Sequence, residues 1–99
     1  MNDEKIIVLA LAEAKADKVE EVKQLCMQLV EASRKEDACI SYDCHQSKTE
    51  PAKFMFYEVW ANQAGIDNHF QVPQIQEMLG KAQELTATPP SILFWQKLS

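Results

Sequence analysis

The sequence predicts an α+β domain of the ferredoxin-like kind, β-α-β-β-α-β, built on a four-stranded antiparallel sheet. Three observations predict it. Short apolar runs rich in β-branched and aromatic residues alternate with stretches of helical periodicity. The second and third runs are joined by a short polar link containing Pro51, as in a hairpin. With 99 residues, a single domain spanning 1–99 is expected.

The first run, Ile6 to Ala12, is continuously apolar and suits a strand buried on both faces. Asp17 followed by Glu20 resembles a capping box. Val19, Val22, Cys26, Leu29, Val30 and Ser33 then recur at helical spacing, so a helix is expected over about 18–35. Cys39 to Gln46 suits a half-buried strand, and Phe54 to Trp60 is the strongest strand in the chain. Asn62 can cap a short helix running through Ile66, His69 and Phe70. Pro73 fits the first position of another helix, whose stripe is Ile75, Met78, Leu79, Ala82 and Leu85. After Pro89-Pro90 the last strand is expected from Ile92 to Leu98.

The strands look apolar on both sides. Phe54, Phe56 and Trp60 share one face of the third strand with Glu58, while Met55, Tyr57 and Val59 occupy the other. Helices of this fold cover only one sheet face. A second apolar face would form a patch large enough to mark an interface. Each buried side chain contributes about 1.5–3 kcal/mol. A homodimer with the sheet covered on both sides is therefore expected.

Composition excludes several function classes. The net charge is −5, and Arg34 is the single arginine. That argues against nucleic acid and against an anionic membrane surface as partners. The acidic start, Met1 to Lys5, is unlike a signal peptide, and the three cysteines show no C-x-x-C spacing. A reduced, cytoplasmic protein is expected. No glycine-rich nucleotide or flavin motif occurs. Cys44 and His45 point to opposite faces of one strand and cannot share a metal, so neither metal nor cofactor is expected.

Two residues could carry chemistry. Glu58 is a carboxylate inside an apolar strand; it must be paired, hydrogen-bonded or protonated, and its pKa is expected to rise. Its bland alternative is an ion pair with a helix end. His69, nine residues after Trp60, can act as a general base facing a cavity. Its bland alternative is a hydrogen bond to Glu58 or to backbone. Tyr42 reads first as a core residue.

The stretch F-M-F-Y-E-V-W-A-N-Q-A-G-I-D-N-H-F, Phe54 to Phe70, resembles the antibiotic biosynthesis monooxygenase domain family. The flanking C-I-S-Y-D-C-H-Q and V-P-Q-I-Q-E-M fit the same pattern. The resemblance implies a dimeric α+β barrel with a cavity between sheet and helices in each subunit. It implies oxidation of a small aromatic or quinol-like substrate by O2 without metal or flavin. His69 and Glu58 would then be catalytic, and Trp60, Tyr42 and Phe56 would bind substrate.

The chain departs from the pattern at Gln74, where many relatives carry histidine. This favours an alternative, a non-enzymatic dimeric ligand-binding or stress-response domain. A haem-degrading branch needs an asparagine on the first strand and a histidine between Ile75 and Leu85, and neither occurs. An isomerase branch acting on a phosphorylated autoinducer-2 would want basic groups, which the single arginine does not favour.

Overall fold

A computed structural model describes residues 5–99. Residues 1–4, most of the acidic start, lie outside the described residues. The elements are β1 (Ile6–Glu13), α1 (Val19–Ser33), β2 (Cys39–Gln46), β3 (Lys53–Trp60), α2 (Gln63–His69), α3 (Pro73–Leu85) and β4 (Ser91–Trp95). The strands form one antiparallel sheet in the order β2-β3-β1-β4. This is the ferredoxin-like fold expected from the sequence, with the second helical segment split in two.

β1 holds the sheet together because it pairs on both sides. Val8 stands opposite Glu58 of β3 and opposite Phe94 of β4. Side chains alternate along each strand, so Val8, Tyr42, Phe54, Phe56, Glu58 and Trp60 share one face. All six are buried under the helices. α1 closes this layer with Val22, Leu25, Cys26, Leu29 and Val30. The β2–β3 hairpin turns through residues 47–52, where the Ser47 hydroxyl accepts from the Thr49 and Glu50 amides.

The opposite face carries Ile7, Leu9 and Leu11 beside Met55, Tyr57, Val59, Leu93 and Trp95. Leu11, Tyr57, Leu93 and Trp95 are exposed. β4 is exposed along its whole length, on the helix-facing side as well. Of α3 only Ile75 is fully buried. Among the described residues no helix is long and apolar enough to cross a membrane.

Two sequence expectations are corrected. Asp17 does not cap α1: the first helical bond runs from the Val22 amide to the Lys18 carbonyl, so Lys18 holds the capping position, and its side chain makes no cap bond. Glu20 instead accepts from Gln24 one turn along. β4 stops at Trp95 rather than Leu98, because its ladder with β1 ends at the Ile7–Trp95 pair. Arg34 ties the end of α1 to β2, bonding the Tyr42 carbonyl and the Asp43 carboxylate.

The sheet-covering layer depends on a close approach. Gly65 of α2 lies so near Ala38 that a β-carbon at Gly65 would fall on the Ala38 side chain. The Ala61 amide also bonds the Ala38 carbonyl at 2.9 Å, and Asn62 caps α2 by accepting from the Gly65 amide at 2.8 Å. Gly80 in α3 has open space around it. Gly65→Ala should therefore destabilise the fold by about 1–3 kcal/mol through overpacking. Gly80→Ala should stabilise it by roughly 0.5–1 kcal/mol through helix propensity. Urea unfolding of both variants checks the pair, and equal effects would refute the contact.

Candidate active site

The helix-facing side of the sheet encloses a small apolar cavity of about 70 Å³. Its walls include Val8 and Phe56 from the sheet and Leu25, Cys26 and Leu29 from α1. Phe70 follows α2 in the lining, and Pro90 and Ile92 bound it beside β4. Into this lining come Tyr42, Glu58 and His69. No lysine or arginine lines it.

Glu58 reaches the buried face because the period of β3 puts it there between Phe56 and Trp60. It is 5% exposed. Its Oε1 accepts a 2.8 Å hydrogen bond from the Trp60 indole two residues on, along the same face. Burial pushes its carboxyl up to about 7; the Trp60 bond opposes that rise and the nearby Glu36 adds to it. Glu58 can thus carry a proton near neutrality.

His69 is the last residue of α2 and is 4% exposed. Its Nδ1 lies 2.7 Å from Oε2 of Glu36, in the turn between α1 and β2. A carboxylate only accepts, so Nδ1 donates, and in the neutral ring Nε2 is the acceptor. The ring packs against Trp60 at 4.7 Å and Tyr42 at 6.0 Å between centroids. The partner expected from sequence was Glu58 or backbone; Glu36 takes that place instead. Oε1 of Glu36 is buried without a hydrogen-bond partner.

Tyr42 sits on β2 in edge contact with Trp60 and tilted against Phe56 at 5.5 Å. Burial and the Glu58 charge raise its hydroxyl well above the ordinary phenol range. Trp60 is 1% exposed and lies behind the cavity wall rather than in it, holding Glu58 and His69 from the side. Gln74 is exposed at the start of α3 and does not line the cavity. Among the described residues no group of His, Cys, Asp and Glu is placed to hold a metal. Glu36 is the residue that sequence reading missed. It is one more acid in a polar turn after α1, and only the fold brings it beside a histidine 33 residues away.

The fold thus brings a buried acid and a carboxylate-bonded imidazole to one apolar cavity on a ferredoxin-like sheet. The family model for antibiotic biosynthesis monooxygenase matches residues 5–81, and the chain belongs to that family. An uncharacterized Synechocystis protein, sll1783, is 39% identical over 95% of this chain, which spans 64% of that relative's length. Bacillus subtilis YcnE, named provisionally as a monooxygenase, is 27% identical over 89% of this chain and 93% of its own. The structure of Rv0793 from Mycobacterium tuberculosis has the same fold, with a TM-score of 0.91, 21% identity and 97% of each chain covered.

The burial of Glu58 has a consequence for stability. The folded chain keeps a proton there that the unfolded chain releases above about 4.5. Stability is therefore greatest below that pH and falls as pH rises through about 7, by up to roughly 3 kcal/mol. Glu58→Gln preserves the acceptor for Trp60 and should remove most of this loss. Urea midpoints at pH 5 and pH 8 check it; a wild type equally stable at both would refute the assignment.

Proposed function

We propose that this chain is a cofactor-independent monooxygenase that oxidises a small phenol or quinol with O2 in the cavity under its helices. The observation that carries this reading is that the imidazole of His69 and the carboxyl of Glu58 both line one apolar enclosure. Membership of the monooxygenase family supports it.

His69 Nε2 takes the phenolic proton, and Glu36 stabilises the imidazolium that results. The phenolate passes electrons to O2, and a C–O bond forms at a ring carbon conjugated with the phenolate. Glu58, which holds a proton up to about pH 7, gives it to the peroxide anion. The Glu58 carboxylate then removes the proton on that carbon as the O–O bond breaks. The departing hydroxide collects the proton on His69. One oxygen stays as a carbonyl and the other leaves as water. The substrate supplies all four electrons, so no external reductant is needed. Exclusion of water by the apolar walls keeps the intermediate from side reactions.

A second reading is a domain that binds a ligand without turnover. The cavity favours it: about 70 Å³ is well below the roughly 300–1,000 Å³ of drug-sized pockets. Only small ligands fit without wall movement. The lack of any cationic lining residue disfavours a phosphorylated ligand.

Oxygen uptake with a panel of hydroquinones and phenols tests the first reading. His69→Ala should lower kcat by roughly 10²–10⁴-fold with a smaller effect on unfolding. Glu36→Gln should lower kcat less and shift the acidic limb of the pH–rate profile, which reports the base. No uptake with any member of the panel, or a ligand recovered unchanged under air, would leave the binding reading in its place.

We also propose that the exposed face built from Leu9, Leu11, Tyr57, Leu93 and Trp95 is covered by a second copy of the chain. Light scattering should give twice the monomer mass. Leu93→Asp should shift it toward monomer, since a charge would be buried unpaired at the seam. A wild-type chain that is monomeric at micromolar concentration would overturn this.

A further inference from the structure

The cavity lining is graded along β1. Val8, Ala10 and Ala12 all line it, at alternate positions on the helix-facing side. At about 3.3 Å per residue they cover about 13 Å of strand. A volume of about 70 Å³ drawn out over that length is a narrow slot, not a round chamber. Its two ends differ. Glu58 stands opposite Val8, and Tyr42 stands opposite Glu58 on β2. The His69 ring lies 6.0 Å from that of Tyr42 and 5.1 Å from that of Phe70, between centroids. The acid, the imidazole and the aromatic walls therefore gather at the Val8 end. The far end is set by Ala12 and by Thr86, whose backbone bridges Ala14 just beyond Ala12. Ala82, whose carbonyl accepts from the Thr86 amide, and Pro90, next to the Ser91 that pairs with Leu11, join the lining there. No titratable side chain lines that end.

We propose that this slot takes a phenol or quinol carrying one unbranched, uncharged alkyl chain, with the ring hydroxyl at Glu58 and His69 and the chain laid along β1 toward Ala12 and Thr86. The ring class rests on the function proposed above; the chain is the addition.

Each end suits its part of such a molecule. Tyr42 and Phe70 give an aromatic ring faces and edges to pack against beside the two groups that can bond its hydroxyl. Beyond them the walls offer apolar contact, with the Thr86 hydroxyl as the one polar group among the far lining residues. A saturated chain gains from burial there and leaves no polar group of its own unpaired. An anionic tail would find no lysine or arginine in the lining. A branched or fused-ring substituent is wider than a single chain. It would have to push apart walls that are packed as tightly as a protein core. The alanines at positions 10, 12 and 82 keep the passage open, since a longer side chain on the same face would project into it.

The test compares two isomers, para-butylphenol and para-tert-butylphenol, by calorimetric titration of the wild-type chain, with oxygen uptake followed in parallel. They share the ring, the hydroxyl and the carbon count and differ in the width of the side group. The straight isomer should bind at least about tenfold more tightly, because the branched one has to displace the walls. From phenol through para-ethylphenol to para-butylphenol, Kd should fall about fourfold per added carbon. Butylbenzene, which leaves Glu58 and His69 without a hydroxyl partner, should bind at least about tenfold more weakly than para-butylphenol. Ala12→Leu should flatten the chain-length series; Ala82→Leu blocks the slot from the opposite wall and serves if the first variant does not fold. Equal affinity for the two isomers, a flat series in the wild type, an unchanged series in a folded blocking variant, or no binding of para-butylphenol would overturn the slot. Oxygen uptake that ignores the shape of the side group would overturn the chain and leave the monooxygenase standing. Selective binding of the straight isomer without uptake would uphold the slot and remove the monooxygenase reading.

Discussion

The site rests on the close contact between Gly65 and Ala38. α2 can lie on the turn between α1 and β2 only because no side chain stands between them at this point. The Asn62 cap and the bond from the Ala61 amide to the Ala38 carbonyl fix the angle of approach. His69 is four residues beyond Gly65, one helical turn along, and this carries its imidazole to Glu36. A buried imidazole–carboxylate pair costs desolvation energy on both sides. Glu36 leaves one oxygen without a partner, so that cost is only partly offset.

The two faces of β3 have different work. Phe56 and Glu58 face the cavity, with Trp60 behind its wall, whereas Met55, Tyr57 and Val59 face outward on the apolar side. Because the side-chain period is two, a slip of one residue would exchange these sets. It would put a carboxyl on the apolar outer face and leave the enclosure without its acid. Pairing of β3 with β1 on one side and β2 on the other fixes the register twice.

Much of the fold was legible in the sequence, because it is written in local signals. The bounds of β2 matched from Cys39 to Gln46, and Asn62 and Pro73 marked the starts of α2 and α3 where the structure has them. Asp17 misled because the helix starts one residue later than the capping pattern suggested, with Lys18 at the capping position. The end of β4 was missed because strand length depends on the partner, and the ladder with β1 ends at the Ile7–Trp95 pair. The site was only half legible. Glu58 and His69 stood out by residue type against an apolar background. Their face, and the pairing of His69 with Glu36, depend on how the sheet and α2 come together across 33 residues of separation.

β4 also bounds the cavity, through Ile92 and the preceding Pro90. It is five residues long, holds to the sheet through β1 alone and is exposed on both sides. Elements with so few supports open locally at low free energy. The cavity therefore has its least supported wall at β4, and whatever covered this strand would brace the cavity through the same five residues.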